Sequence, residues 1–300
     1  ARDCVLFQRS CAFERIVIPA RYFSQMDPEY MEKQEAFSVL PFLAACQELK
    51  VKSPLLLSVP LTLHMLESKK YRTGLLNWIT GFTEIAGVYV SVCNERDVKQ
   101  AISTEYLSAL LFFLHELRNA ELEVIAGHLN TESLLLSLLG DVTITMGSFE
   151  NTRMFQVDKF LVAEEERRGP RARVYLPGLL NWVQVDQAKQ VRDRDSRLWS
   201  EVYWPTEYGD AALAAKVEPT FNQPDLYKHH FLCFEKQRGI LDALDIKSRA
   251  ECLNQWIDQA KVCYSRIDAL GIEIERHGRS AHLDPWGRVI GDHVKQIGLV

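Results

Sequence analysis

The chain of 300 residues carries 35 basic and 40 acidic side chains, a formal net charge of −5, with 47% hydrophobic and 25% charged residues. These proportions exclude a disordered chain, a collagen-like repeat and a disulfide-dense miniprotein, and the length suffices for a sizeable core. The longest apolar run, Ala109 to Leu114, falls far short of a membrane span, and no signal peptide opens the chain.

The seven cysteines (Cys4, Cys11, Cys46, Cys93, Cys233, Cys252, Cys263) are odd in number and include no CxxC pair. That pattern fits reduced, mostly buried thiols in a cytoplasmic protein better than a disulfide framework or a structural zinc site. Neither a metal nor a cofactor is expected. From Arg167 to Arg197 seven arginines and Lys189 face Asp186, Asp193 and Asp195, a local charge of +5.

In chain order, Ile16-Val17-Ile18 reads as a strand, and a helix from Pro28 to Leu49 opens after Asp27. Leu55 to Val59 is the next strand, followed by an amphipathic helix around Arg72 to Thr80. Gly87 to Val92 predicts a strand and Asp97 to Arg118 a helix. Leu122 to Ala126 predicts another strand, and Thr131 to Leu139 a helix capped by Thr131 and stopped by Gly140. Val142 to Met146 completes the series. Strands beginning near residues 16, 55, 88, 122 and 142 set the cadence of βα units, so an α/β fold with a parallel sheet is expected. No GxGxxG or GxxxxGK[ST] loop follows any strand, which favours a (βα)-barrel-like sheet over a nucleotide-binding doubly wound one.

Beyond Phe155 the pattern changes. Glu164 to Pro170 is a charged loop broken by Gly-Pro, Arg173 to Leu176 a short strand, Leu179 to Val191 a helix, and Pro205 to Pro224 irregular. Leu226 to Leu244 and Ser248 to Leu270 form an αα-hairpin, and His282 to Ile297 one more helix. The expected division is a barrel-like domain over 1–160, a charged connecting region over 161–225 and a helical hairpin region over 226–300.

In a parallel sheet the chemistry lies beyond the carboxyl ends of the strands. There the sequence offers His128, Glu95 and Glu150 as acid and base candidates, and Arg21, Asn94 and Ser148 as substrate-binding ones. As a plain structural residue His128 needs only one backbone partner, the less demanding of the two roles. Arg167, Arg168, Arg171, Arg173, Arg192 and Arg194 are candidates for phosphate contact, although Glu164 to Glu166 offers intramolecular pairing instead. Trp182, Trp199 and Trp204 suit base stacking or the core, and His229 and His230, adjacent on a helix, suit packing or capping.

The order GVYVSVCNERD, LHELRNAE, LEVIAGHLNTESLLLSLLGDVTITMGSFENTR resembles the last three βα units of the tRNA-guanine transglycosylase barrel, and the short 20-residue unit is reproduced. RIVIPARYFSQMDPEYMEKQEAF and PLLLSVPLTLHMLESKKYRTGLL are similar to the two units before, and DLYKHHFLCFEKQRGIL to the helix bearing the family's zinc-ligand His. The resemblance implies a barrel and a link to 7-deazaguanine modification of tRNA or DNA. It begins near the family's fourth strand, so a barrel incomplete on its N-terminal side is expected. Its open edge would be closed by Cys4 to Gln8 with the carboxyl-terminal region, by a protein partner, or by upstream residues. The catalytic identities depart from the family. Its nucleophilic Asp corresponds to Thr145, its base-reading residues fall near Pro19, Ala20 and Pro60, and Leu198 to Gly209 holds no zinc cysteine. The expectation is a divergent member of this superfamily without base exchange. Two alternatives are a non-catalytic scaffold subunit of an assembly and a barrel enzyme of different chemistry using His128 and Glu150.

Overall fold

The computed structural model describes residues 1–94, 98–157, 169, 171–217 and 219–298. Helix α1 (Arg2–Ser10) precedes β1 (Ile16–Ile18). Helix α2 (Tyr30–Gln34) passes through a π-helical turn (Glu35–Val39) into α3 (Leu40–Glu48), so the expected helix is one helical stretch with a wide turn in its middle. Then come β2 (Leu55–Thr62), α4 (Leu63–Glu67), α5 (Lys69–Ile79), β3 (Ile85–Cys93), α6 (Thr104–Asn119) and β4 (Glu123–Ala126). The hydroxyls of Thr62, Ser68 and Ser103 accept from the N–H groups of Met65, Tyr71 and Tyr106, which caps α4, α5 and α6. A 3-10 helix (Thr131–Leu139) leads to the short β5 (Thr143–Ile144). Thr131 is not its cap: its hydroxyl donates to Gln100 at 2.5 Å, and Asn130 holds the cap position. Gly140 does end it, at φ +78°, a conformation that a Cβ would strain.

The five strands are all parallel and lie in the order β1-β2-β3-β4-β5. Because the order never reverses, right-handed crossovers set the helices on one face. Ile16, Ile18, Leu57, Val59, Leu61, Val88, Val90, Val124 and Ala126 point to that face and are at most 2% exposed. The opposite face carries the rows Val17-Leu56-Gly87-Glu123 and Ser58-Tyr89-Ile125-Thr143. Most of those residues are half-buried and Thr143 is exposed, so this inner face is an open trough.

The sheet is curled around that trough. Arg15 Nε, just ahead of β1, lies 2.7 Å from Glu123 Oε2 at the start of β4. Three strand spacings separate β1 from β4, about 14 Å in a flat sheet, and side chains standing perpendicular to such a sheet do not bridge that gap. Gly87 keeps the path open, since a Cβ there would come within 2.8 Å of Leu56 and of Glu123.

Cys4 to Gln8, considered above for closing the sheet, adds no strand, since it lies in α1, but its last residue covers the β1 edge. Closure at β1 comes from the Gln8 carboxamide. Its Nε2 donates to the Val17 carbonyl at 2.9 Å, and its Oε1 accepts from the Val17 N–H at 2.7 Å.

The second half opens with β6 (Arg173–Leu176) and β7 (Asn181–Gln184), an antiparallel hairpin buried along its whole length. The helix expected from Leu179 therefore starts only at Val185. Leu180 adopts φ +52° and turns the chain back, and apolar Trp182 and Val183 pair with Tyr175 and Val174 before α7 (Val185–Arg194) begins. Helix α8 (Ser196–Val202) follows. The stretch expected to be irregular contains α9 (Glu207–Ala214), capped by Thr206 Oγ1, which accepts from the Gly209 N–H at 3.0 Å. Helices α10 (Pro224–Asp242) and α11 (Ile246–Ala269) form the hairpin, and α12 (Leu283–Gln296) closes the fold. The main apolar core runs from Val5 to Val294, with Trp286 Nε1 donating to the Ala101 carbonyl at 2.9 Å inside it, and Tyr175, Trp182 and Cys233 form a second small cluster. No helix among the described residues is long and apolar enough to cross a membrane.

Candidate functional site

The carboxyl ends of the strands bring Pro60, Ser91, Gly127 and Thr145 to one end of the trough. Tyr89 reaches up from the row below, and its hydroxyl lies 2.9 Å from Thr145 Oγ1. The ring takes the space a side chain at residue 127 would need: a Cβ on Gly127 would sit 2.6 Å from Tyr89. His128 then adopts φ +58°, and its N–H donates to Thr145 Oγ1 at 3.4 Å. Its ring lies 5.5 Å from Phe155, which meets Tyr22 edge-on, also at 5.5 Å. Phe155 forms a parallel bridge with Cys93, so the returning chain lies beside the end of β3 beyond the point where β4 stops. The strand-end cluster is thus hydroxyl and aromatic, with Thr145 Oγ1 held by the Tyr89 hydroxyl and the His128 N–H.

The other sequence candidates fall in different places. Glu95, Arg167 and Arg168 lie outside the described residues. Asn94 is buried at the end of β3. Arg21 is exposed, with its guanidinium 4.8 Å above the Phe37 ring. Arg192 pairs with its neighbour Asp193 at 3.0 Å, and Arg194 donates to the Leu270 carbonyl at 2.7 Å; both sit on α7. Ser148, Glu150, Arg171 and Arg173, chosen for separate reasons, converge on one cleft beyond β5.

That cleft is completed by Arg153, Trp182, Phe221, Leu226 and Tyr227. Arg153 is 3% exposed. Its Nε and Nη2 donate to the carbonyls of Gly147 and Ser148 at 2.9 and 2.7 Å, and its guanidinium lies 3.9 Å over the Trp182 ring. Burial pulls its pKa down to about 10, a direction that Glu150 partly opposes. Arg173 is clasped on both sides, by Glu150 at 2.8 Å and Glu275 at 3.1 Å, and Lys99 approaches Glu150 to 3.6 Å. Among the described residues no carboxylate lies within ion-pair distance of Arg153 or Arg171. The cleft continues into an open groove past Arg171, Thr220, Phe221 and Asn222. Sequence reading missed Arg153, Phe221 and Tyr227, because no local motif ties a residue after Ser148 to the start of α10.

The helix compared above with a zinc-bearing one holds hydrogen bonds where a metal would need lone pairs. His229 Nε2 lies 2.9 Å from the Tyr175 carbonyl, an acceptor only, so Nε2 carries the proton. Nδ1 then accepts from the Thr206 hydroxyl at 2.8 Å, and Gly209 packs so closely that a Cβ would come within 2.5 Å of Nδ1. Cys233 is 3.7 Å away and burial raises its pKa to about 12, which keeps it a thiol. Both ring nitrogens are used, and these residues do not fit a zinc site; no group of metal-ligating side chains occurs among the described residues. His230 beside it is fully buried within 4.8 Å of both Tyr175 and Trp182, and burial first, then Arg153 and His229, hold it neutral.

No family model matches the chain, and no curated protein or solved structure is similar enough to match it.

Proposed function

We propose that the chain binds nucleic acid in association with a base-modification reaction, on a (βα)-barrel-type scaffold that does not itself exchange guanine. The observation that carries the reading is the arginine and aromatic cleft, with its groove, beyond the carboxyl end of the parallel sheet. Arginine forks match phosphate oxygens, and exposed Phe221 and half-buried Tyr227 offer faces for bases. The singly wound, curled sheet supports the barrel comparison. Thr145 held by Tyr89, with prolines and alanine at the base-reading positions, supports loss of exchange, since a threonine hydroxyl without a base is a poor nucleophile.

Fluorescence anisotropy with tRNA and with duplex DNA over a salt series tests the reading. Binding that weakens steeply with salt, and weakens about tenfold further in Arg171→Glu, is the expected result. Absence of binding at low salt, or guanine exchange that depends on Thr145, would overturn it.

The scaffold reading draws on one separate observation, the half-exposed inner face of the sheet. It predicts a stable complex with another protein that covers this trough, detectable by gel filtration and by reduced chemical labelling of the half-buried Tyr89 phenol in the complex. The alternative chemistry with His128 and Glu150 has less support, because Glu150 is engaged by Arg173 and Lys99.

A further inference from the structure

We propose that the cleft of Arg153, Arg171, Arg173 and Trp182 is a binding site for a terminal phosphate, the phosphomonoester at the end of a nucleic-acid strand. This rests on the nucleic-acid reading and names the group that the cleft takes.

Unpaired donors lie among the cleft's lining residues. Arginine and the indole N–H are donors without acceptor capacity. Trp182 Nε1 and Arg173 Nε are buried without a hydrogen-bond partner, on residues 4% and 8% exposed. Buried polar groups are otherwise paired in the great majority of cases. Among the described residues Glu150 Oε2 is also buried there without a hydrogen bond, but it lies 3.6 Å from Lys99 Nζ, so the two unmet donors are what call for an acceptor-bearing ligand.

Charge points the same way. Arg153 is buried against an aromatic face and two carbonyls, and an undercompensated buried cation is costly. Among the described residues Glu150 is the one carboxylate lining the cleft, and it pairs with Arg173 at 2.8 Å and Lys99 at 3.6 Å. A phosphomonoester brings a charge of roughly −1.5 to −2 near neutral pH together with three acceptor oxygens.

Size and reach select a terminal group. The centre of a water-sized sphere has about 30 Å³ to move in, roughly two or three times what one water requires. A whole nucleotide does not fit, whereas one compact group does. An internal phosphodiester is tethered on both sides and stays outside, in the groove past Thr220 and Asn222. A terminal group is tethered once and can enter as far as Arg153.

The test compares two oligonucleotides of one sequence, one with a 5′-phosphate and one with a 5′-hydroxyl, by anisotropy at moderate salt. Preference for the phosphorylated strand of about tenfold or more is expected. Millimolar inorganic phosphate should abolish the preference, as should Arg171→Ala, and Lys247→Ala on the distant α11 should leave it intact. Arg153→Lys, which keeps charge but loses the fork, should reduce it; if that variant does not fold, exposed Arg171 still carries the test. Equal affinity for both strands, with salt dependence retained, would overturn the terminal-phosphate site and leave the nucleic-acid reading standing. If neither strand binds while inorganic phosphate raises the melting temperature and Arg171→Ala removes that rise, the strand-end source is wrong and the nucleic-acid reading falls with it.

Discussion

Gln8 and Val17 pair like residues on neighbouring strands, although Gln8 sits on a helix. Its carboxamide presents one donor and one acceptor to the outward N–H and C=O of the edge strand β1, at 2.7 and 2.9 Å. A parallel edge left bare invites pairing with another chain. Gln8→Leu should therefore act twice. It leaves two backbone groups without partners, which costs roughly 1–3 kcal/mol for each that water cannot reach, and it frees the edge for association. Urea unfolding and light scattering together check this; unchanged stability with a monodisperse sample would show that α1 does not guard β1.

Arg15 and Glu123 report the curl of the sheet rather than its strength. Their side chains are 39% and 32% exposed, so a double-mutant cycle with alanine should give a coupling of only about 0.2–1 kcal/mol that fades in salt. A coupling indistinguishable from zero at low salt would mean that the strand ends are further apart in solution, and the sheet flatter.

Gly87→Ala probes the same curl sterically. A methyl group would lie 2.5 Å from the Glu123 backbone oxygen, a contact that rotation of a side chain cannot relieve. Destabilisation of about 1–3 kcal/mol is expected from this overpacking, measured by the urea midpoint. A neutral result would contradict the close approach of β3 and β4.

Residues such as Ile16, Leu57, Val90 and Val124 made the parallel sheet legible from sequence, because buried β-branched runs alternate with helical periods over short distances. Gly140 was legible for a similar reason, a helix stop being a local event. Of the hairpin, β6 was legible as a strand over Arg173 to Leu176, but its pairing with β7 was not. Its turn depends on Leu180 in a left-handed conformation that leucine seldom adopts, and Leu179 to Val191 carries enough apolar positions to suit a helix. The cleft was legible only in pieces: Ser148, Glu150, Arg171 and Arg173 attracted attention for their type or place. Arg153 and Tyr227 join them through tertiary packing between β5, the hairpin and α10, which no spacing in the chain encodes.

His229→Ala should destabilise the second half of the fold. It strips the Tyr175 carbonyl and the Thr206 hydroxyl of their partner and leaves a void against Tyr203, whose ring is 5.2 Å away. A loss of about 2–4 kcal/mol is expected from one buried acceptor, one cap-linked hydroxyl and the cavity. Because both imidazole nitrogens are occupied, zinc in slight excess should leave the melting temperature of the unaltered protein unchanged. A zinc-dependent rise lost in the variant would mean that His229 gives up these bonds for the metal.

Acid should unfold this protein through histidines rather than carboxylates alone. His282 is fully buried and burial lowers its pKa to about 3; His293 is 4% exposed, and burial, helped by His115 at 5.7 Å, lowers its pKa to about 4. In the unfolded chain both return to about 6.5. Above that pH neither state binds the proton and these groups cost nothing. As the pH falls below 6.5 the unfolded chain takes up protons that the folded one refuses. Stability then drops by up to about 1.4 kcal/mol per pH unit for each histidine until its folded pKa is reached. Over two pH units these two histidines together remove up to about 5 kcal/mol, a large part of the roughly 5–15 kcal/mol of a typical domain, and His230, which burial holds well below the ordinary imidazole value, acts in the same direction. Urea midpoints taken from pH 7 to 4.5 measure the slope, and His293→Gln, facing His115 and the Leu138 carbonyl, should make it shallower by roughly one histidine's share. A flat profile over that range would mean that these imidazoles reach water and take up protons without loss of the fold.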